Sequence, residues 1–268
     1  MSITVNGQKI EGFSFPGGER HINVGQIGEA LTFRVESKIR SSDDLMDTML
    51  ICDALYRKAP HIPITLCLPY LPYARQDRVC ASGDPFSLNV ISRMLNSLSV
   101  QQVVTFDPHN IRECAKSINA FRVIPNTQFV EDIIDEVRPD FLICPDAGAR
   151  FKYAKIWEML PTTFCRKNRD PLTGKLSGFS LDKNSFMPNR YSRGLVVDDI
   201  CDGGGTFLGI ADLFEGKVDL HLTVSHGIFS KGLRDLFSKF STIHTTDSFC
   251  TLREMTDSLF VYKWNHLK

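Results

Sequence analysis

The sequence lacks an excess of charge of either sign. Its 268 residues include 31 lysines and arginines and 31 aspartates and glutamates, so the formal net charge is zero. No global electrostatic field would therefore attract nucleic acid or an anionic membrane, although a local basic site can still bind a phosphorylated ligand. With 43% hydrophobic residues, the composition is that of a folded globular protein. We expect a small-molecule substrate, and no nucleic-acid or membrane partner.

The sequence also lacks the signals of export and of zinc binding. It does not start with a basic segment followed by an apolar run, and no apolar stretch approaches the about 18 residues of a membrane-spanning helix. Its eight cysteines are scattered singly, without a CxxC pair or a histidine at zinc-ligand spacing. These absences predict reduced structural thiols, no zinc site and a cytoplasmic protein.

Apolar, β-branched runs alternate with segments of helical period from about residue 43 onward, which predicts an α/β fold with parallel sheets. We expect two doubly wound parallel-sheet halves, residues 1–139 and residues 140–268. Ser42 is the predicted N-cap of the first helix. Residues 166–193 interrupt the alternation with basic residues and glycines, and are predicted to form a long loop or a hairpin.

The most specific motif is an apolar strand that ends in acids and three glycines, from Val196 to Thr206. Successive glycines before a helix let backbone N–H groups approach an anion, which predicts a phosphate-binding loop. The lysine of a Walker A loop is absent, which argues against the usual grip on a nucleoside triphosphate. Asp198 and Asp199 can accept hydrogen bonds from sugar hydroxyls, directly or through Mg²⁺. The motif predicts a ribose-phosphate site, and the alternative is a tight turn with solvated acids.

A second motif, from Pro69 to Arg78, follows a predicted strand and carries cationic and amide side chains beside tyrosines. Arg75, Gln76 and Arg78 can bind phosphates and adenine. Such a loop by itself is as often a structural cluster of ion pairs. Its interpretation as a ligand site therefore depends on the other motifs.

Taken together, the two motifs resemble segments of ribose-phosphate pyrophosphokinase, the family that synthesises phosphoribosyl pyrophosphate. The segment Pro69–Arg78 is similar almost letter for letter to the family's PYxPYARQDR, and the glycine motif resembles its ribose-phosphate loop. The agreement runs in order from Phe15 to about Asp247. The resemblance implies a phosphoribosyltransferase-like α/β fold, and transfer of the diphosphoryl group of Mg-ATP to the anomeric 1-hydroxyl of ribose 5-phosphate, with release of AMP.

Four further segments resemble the family's TxDxH, SPDxG, KRR and FxDGE motifs. They are, in that order, Thr105–His109, Cys144–Gly148, Arg166–Arg169 and Phe15–Glu19. The last corresponds to a hairpin that in this family reaches into the ATP site of a neighbouring subunit. The resemblance therefore implies a homo-oligomer built from dimers, with the ATP-binding loop and oligomer contacts in the first half and the ribose-phosphate and catalytic loops in the second.

The resemblance assigns a role to each matching position. The catalytic residues it implies are Lys167, Arg169 and His109. The implied ATP-binding residues are Phe15, Glu19, Arg75, Gln76 and Arg78. The implied ribose-phosphate-binding residues are Asp198, Asp199, Asp202, Gly203, Gly204, Gly205 and Thr206. The implied cofactor is Mg²⁺, with His109 and Asp146 as its ligands.

The sequence departs from the family pattern in three places. Gly17 stands where the hairpin motif carries an acid, and the run Gly203–Gly205 lacks the usual hydroxyl residue. Because the hairpin match begins at Phe15, we also expect the family's opening strand and helix to be missing. The wider glycine loop raises the alternative of a larger ribose acceptor such as ADP-ribose. Two further candidates are a phosphoribosyltransferase, a class that shares the glycine loop, and a non-catalytic regulatory homologue of the synthetase.

Overall fold

The structure is a computed structural model that describes residues 3–25, 27–28, 30–169, 176–188, 192–214, 216–250, 256 and 258–264. The chain divides into two compact units, Met1–Pro125 and Asn126–Lys268. Each unit is built around its own sheet.

The first unit contains a six-stranded sheet and a separate hairpin. Its strands are β1 (Ile3–Val5), β2 (Gln8–Ile10), β3 (Phe13–Ser14), β4 (Arg20–His21), β5 (Phe33–Ser37), β6 (Ile64–Leu68), β7 (Gln102–Phe106) and β8 (Phe121–Ile124). The sheet has the order β2-β1-β5-β6-β7-β8. Strands β5 to β8 are parallel, whereas β1 is antiparallel to both β2 and β5, and β3 pairs with β4. The first described residues therefore add an antiparallel edge to a parallel sheet.

The helices of the first unit are α1 (Ser42–Lys58), α2 (Ser87–Asn96) and α3 (Ile111–Ser117). The predicted cap of α1 is wrong by one residue, because the N-cap is Ser41. Its Oγ accepts a hydrogen bond from the Asp44 N–H at 3.2 Å, and the Asp44 carboxylate accepts one from the Ser41 N–H at 2.9 Å. The extended backbone of Ser41, with φ −142°, permits this reciprocal capping box, whereas Ser42 already lies in the helix.

The second unit contains a seven-stranded sheet. Its strands are β9 (Phe141–Cys144), β10 (Thr162–Arg169), β11 (Leu176–Leu181), β12 (Ser192–Cys201), β13 (Val218–Gly227), β14 (Thr242–Thr246) and β15 (Leu259–Tyr262). The order is β11-β10-β9-β12-β13-β14-β15, and β11 alone among them pairs antiparallel. Strands β10 and β11 pair antiparallel, and all of β11 and the end of β10 lie in the segment 166–193, which was predicted to be a loop or hairpin.

The helices of the second unit are α4 (Thr127–Val137), α5 (Ala147–Lys152), α6 (Gly205–Ala211) and α7 (Arg234–Phe237), with 3₁₀ turns at Ile156–Glu158 and Asp212–Phe214. Helix α4 packs against β12 and β13, so the compact second unit begins before this helix. The sequence-based division lies after it, at residue 139. The functional roles given to the two halves stay predictions.

The central strands of both sheets are almost entirely buried. Leu66 and Leu68 in the first unit, and Val196 and Leu222 in the second, are fully shielded from solvent. Parallel strands covered on both faces carry such continuous apolar runs. The predicted α/β fold with two parallel-dominated sheets is confirmed. In the part of the chain that the structure describes, no helix is long and apolar enough to cross a membrane.

Candidate functional site

Two strand-end loops of the first unit emerge at the same edge of its sheet, because β6 and β7 are parallel neighbours. The loop after β6 carries the arginine motif, and the loop after β7 carries His109. The side-chain amide of Asn110 donates a hydrogen bond to the Asp77 carboxylate at 2.6 Å, which joins the two loops. The structure thereby joins the loop that carries Arg75, Gln76 and Arg78 to the loop that carries His109, at the kind of edge where open α/β sheets bind ligands.

The backbone at this edge contains two unusual conformations. Tyr73 in the arginine loop has φ +61°, and Asp107 directly after β7 has φ +39°. Left-handed backbone at such residues is uncommon and persists where the surroundings impose it. Asp107 is buried, and its N–H donates to the carbonyl of Ile124 at 3.0 Å. The backbone of this edge is therefore fixed locally, while the side chains of Arg75 and Arg78 are exposed.

The hairpin of β3 and β4 presents the segment Phe15–Glu19 as its turn. The Phe15 N–H donates to the Glu19 carbonyl at 2.9 Å, and Gly18 has φ +91°, a conformation that favours glycine. Phe15 is 45% exposed and packs on Phe13 with ring centroids 5.2 Å apart. The hairpin implied by the resemblance is present, and the roles of Phe15 and Glu19 in ATP binding stay predictions.

Three neighbouring strands of the second unit bring acids and lysines together. Asp146 lies two residues after the end of β9, while Asp198 and Asp199 lie near the end of the adjacent parallel strand β12. Asp146 caps α5 by accepting from the Ala149 N–H at 3.0 Å. Its other oxygen accepts from Lys167 Nζ of β10 at 2.5 Å. The structure thus places two residues of separate predicted motifs, Asp146 and Lys167, in direct contact.

The pKa values of these acids shift in opposite directions. Burial raises the pKa of Asp198 well above its usual range, and the charges of Asp199 and Asp146 raise it further. Burial also raises the pKa of Asp146, but hydrogen bonds from Lys167 and the Ala149 N–H outweigh it, so the net pKa is lowered. A negative carboxylate at position 146 therefore lies near one at position 198 that more readily holds a proton.

Asp199 has a cationic partner that the sequence analysis missed. Lys152, the last residue of α5, places Nζ 3.1 Å from Asp199 Oδ2. The signal in the sequence is weak, since it is only a lysine six positions after a strand-end aspartate. The lysine reaches Asp199 only because α5 is a short helix whose last residue lies beside β12.

The glycine run forms the turn between β12 and α6. Gly204 is the N-cap of α6 with φ +77°, and a Cβ there would lie 3.2 Å from Leu236. Asp202 before it accepts from Ser230 Oγ at 2.6 Å, which fixes the start of the turn. Beyond its chain neighbours and the backbone of α6, a Cβ at Gly205 would meet no described heavy atom within 4 Å, so the space beside this glycine is open. Thr206 is half-buried in the first turn of α6.

The two implied metal ligands can be compared with the ligand preferences of Mg²⁺. His109 belongs to the first unit and Asp146 to the second. Among the described residues, no group of three or more acids, histidines or cysteines could hold a metal ion. Mg²⁺ commonly uses one or two carboxylates together with substrate phosphates. Asp146 fits that use as a single carboxylate ligand.

The side chain of Arg169, the second cation of the predicted catalytic loop, lies outside the described residues.

Comparisons with known proteins agree with this architecture. Residues 2–98 match the family model described as the N-terminal domain of ribose phosphate pyrophosphokinase. A crystal structure of phosphoribosylpyrophosphate synthetase from Mycobacterium smegmatis superposes with a TM-score of 0.77 at 20% identity, covering 96% of this chain and 88% of the other. This similarity shows the fold, a two-unit α/β protein with a parallel-dominated sheet in each unit.

Relatives at the sequence level extend over both units. A ribose-phosphate pyrophosphokinase of Pyrococcus furiosus is 26% identical over 241 residues, which cover 86% of this chain and 82% of the relative. One from Bradyrhizobium diazoefficiens is 29% identical over 230 residues, covering 78% and 67%. The chain is thus similar to ribose-phosphate pyrophosphokinases over most of its length, and the resemblance seen in its motifs is confirmed.

Proposed function

We propose that this protein transfers the diphosphoryl group of Mg-ATP to the anomeric 1-hydroxyl of ribose 5-phosphate and releases AMP. The bond that forms joins the anomeric oxygen to the β-phosphorus, and the bond that breaks joins that phosphorus to the oxygen left on AMP. The observation that carries the proposal is the cluster of Asp146, Lys167 and the β12 acids in the second unit, in a chain whose relatives are named for this activity.

The first unit would bind ATP. Arg75 and Arg78 are exposed cations on a backbone that local hydrogen bonds fix, and a guanidinium can bind phosphate oxygens through two parallel hydrogen bonds. Gln76, Phe15 and Glu19 are the further ATP-binding residues of the proposal. Phosphate binding by arginines suits the absence of a Walker A lysine.

The second unit would bind ribose 5-phosphate. Asp198 and Asp199 would accept hydrogen bonds from the ribose hydroxyls, and the backbone from Asp202 through Gly205 to Thr206 would bind the 5′-phosphate through its N–H groups. Open space beside Gly205 leaves room for that group. The site would hold the sugar in one orientation before reaction, which is a large part of catalysis in phosphoryl transfer.

Lys167 and Arg169 would stabilise the charge on the transferring group. The Lys167 ammonium lies at the carboxyl edge of the sheet, 2.5 Å from an Asp146 oxygen, so the acid already determines its position. Mg²⁺, when bound with ATP, neutralises phosphate charge, and His109 and Asp146 are its proposed ligands. The proposed enzyme is cytoplasmic, as its scattered single cysteines predict, and a homo-oligomer built from dimers, as the family resemblance implies.

The test is AMP release by the purified protein with ATP, Mg²⁺ and one acceptor at a time. Ribose 5-phosphate should give AMP in amounts equal to the phosphoribosyl pyrophosphate formed. ATP without an acceptor is the control, because background hydrolysis would also release AMP. Binding of ATP without AMP release from any ribose acceptor would instead identify a non-catalytic regulatory homologue. Release of pyrophosphate with a nucleobase and no ATP would identify a phosphoribosyltransferase.

A second acceptor is favoured by the glycine turn. Because no described atom beyond its chain neighbours and its own helix backbone lies within 4 Å of a Cβ at Gly205, a bulkier 5′ substituent has space there. ADP-ribose in place of ribose 5-phosphate in the same assay tests this acceptor. A higher kcat/KM for ADP-ribose would make it the substrate, and activity with ribose 5-phosphate alone would exclude it.

A further inference from the structure

The ion pair between Lys152 and Asp199 is largely shielded from water. The Lys152 side chain is 12% exposed and that of Asp199 is 7% exposed, with Nζ 3.1 Å from Oδ2. Lysine and aspartate are rarely buried unless they are paired. Removing both charges from water costs free energy that the attraction between them often fails to recover. Stability by itself is therefore a weak explanation for this pair.

The surroundings of the pair point to the sugar site. Asp199 lies beside Asp198 on β12, with the Asp199 N–H donating to Asp198 Oδ1 at 2.9 Å, and β12 runs parallel to the strand preceding Asp146. Three carboxylates thus share one sheet edge. Lys167 contacts Asp146, and Lys152 contacts Asp199, so each lysine holds a different acid.

The position of Lys152 is itself fixed from both ends of α5. Asp146 caps the first turn of the helix through the Ala149 N–H, and Lys152 ends it with its ammonium 5.0 Å from the Tyr153 ring centroid. A short helix anchored in this way delivers the ammonium to one place. The side-chain conformation of Asp199 is consequently determined before any ligand binds. Binding then costs little conformational freedom at this residue.

We propose that Lys152 is a positioning residue for the sugar substrate, which holds the Asp199 carboxylate in the orientation that accepts hydrogen bonds from ribose hydroxyls. This inference rests on the proposed function of the second unit. Lys152 does not contact the reacting atoms in this proposal. It acts through Asp199, so its effect should fall on sugar binding and should disappear when Asp199 is already altered.

The first test compares Lys152→Met, which keeps the length of the side chain and removes the charge, with Lys152→Arg, which keeps the charge. Lys155→Met is the matched control, because Lys155 is exposed three positions further along. For Lys152→Met we expect the KM for ribose 5-phosphate to rise about tenfold, the loss of one charged hydrogen bond. The KM for ATP should stay within about twofold, as a change confined to the sugar site implies. Lys152→Arg should recover most of the loss.

A double variant separates positioning from a structural role. Combined with Asp199→Asn, Lys152→Met should add little to the KM for ribose 5-phosphate beyond that of Asp199→Asn, because coupled residues are not additive. Independent, multiplying effects would overturn the inference. So would an unchanged KM for ribose 5-phosphate in Lys152→Met, or an equal rise in both KM values. If Lys152→Met and Lys152→Gln both fail to fold, the pair is structural and the inference is wrong.

Failure of the proposed function has a different signature. In that case the wild-type protein releases no AMP with ribose 5-phosphate or ADP-ribose, and calorimetry with ribose 5-phosphate replaces the kinetic measurement. Binding that is about tenfold weaker in Lys152→Met than in the wild type would support the positioning role. Equal binding by the two proteins, or no binding by the wild type, would overturn it.

Discussion

In the first unit the candidate ATP-binding side chains are exposed on strand-end loops, whereas in the second unit two strand-end carboxylates are each held by a lysine. Arg78 represents the first arrangement. The pairs of Asp146 with Lys167, and of Asp199 with Lys152, represent the second. Exposed cations must lose side-chain freedom when a ligand binds, but paired groups have lost it on folding. We therefore expect substitution of Arg78 in the first unit to affect ATP binding, and substitution of Lys167 in the second to affect turnover.

The largest effect should come from Lys167→Ala in the second unit. Loss of one preorganised positive group should lower kcat by about 10²–10³-fold, with a much smaller change in the KM for ATP. Steady-state AMP release measures both constants. Lys183→Ala, a change at an exposed lysine further along the same unit, is the control. Unchanged turnover in Lys167→Ala would remove this residue from the mechanism and with it the difference between the units.

Arg78→Ala in the first unit should mainly weaken ATP binding and change turnover little, the opposite of Lys167→Ala. We expect the KM for ATP to rise about 10- to 100-fold, because a charged hydrogen bond to phosphate is lost. The kcat should change by only a few fold, as expected for a group that binds substrate and transition state equally. Arg93→Ala, at an exposed residue of α2, is the control. A fall in kcat without a change in KM would contradict the comparison.

The units also differ in the burial of histidine. In the first unit His21, His61 and His109 are exposed, whereas in the second His221, His226 and His244 are buried. A chain of hydrogen bonds links His221 to His244 across the sheet. His221 Nδ1 lies 2.6 Å from Thr242 Oγ1, which lies 2.8 Å from His244 Nε2.

Groups on three strands surround His244. Its Nδ1 lies 3.0 Å from the Tyr262 hydroxyl, its ring stacks on Phe260, and Asp219 lies beside His221 with its carboxylate 3.2 Å from Nε2. The Tyr262 hydroxyl in turn donates to Glu136 at 2.7 Å. Burial, together with the charge of His221, lowers the pKa of His244 from 6.5 to about 4. Burial also lowers the pKa of His221, partly offset by Asp219.

Acid should therefore destabilise the second unit more than the first. Between pH 6.5 and about 4 the unfolded chain binds a proton at His244 that the folded unit does not. The contribution of neutral His244 is thus complete above that range and decreases as the pH falls through it. Hydrogen exchange resolved by peptide, corrected for intrinsic rates, should show protection falling about tenfold or more in β13 and β14. His244→Gln should reduce this dependence, and equal losses in both units would refute it.

The smallest expected effect, on the free energy of unfolding, concerns the caps of two helices. Ser41 caps α1 without a site role, whereas Asp146 caps α5 and also holds Lys167. Ser41→Ala should lower the free energy of unfolding by about 1 kcal/mol and leave kcat unchanged. Thermal unfolding and AMP release measure the two quantities. Ser42→Ala is the matched control, and a larger destabilisation from it than from Ser41→Ala would show that the cap is assigned to the wrong serine.

The sequence indicated the parallel α/β alternation and the strand-end motifs. Strands such as Gln102–Phe106 and Phe141–Cys144 are largely apolar runs between polar loops, which is the pattern of strands in a covered sheet. The cap of α1 was predicted one residue late, since adjacent serines are equivalent until the backbone direction selects one of them. The boundary between units also depended on packing, because the pattern of α4 is helical whichever sheet it covers.

By itself, then, the sequence determined the α/β class, the strand-end motifs and the glycine that the left-handed turn at Gly204 requires, because periodicity and backbone sterics are local properties. Only the tertiary structure decided which side chains meet. Lys167 is 21 residues from Asp146, and Lys152 is 47 residues from Asp199. Parallel pairing of β9 with β10 and β12 makes such distant residues neighbours, and no local pattern records that order of strands.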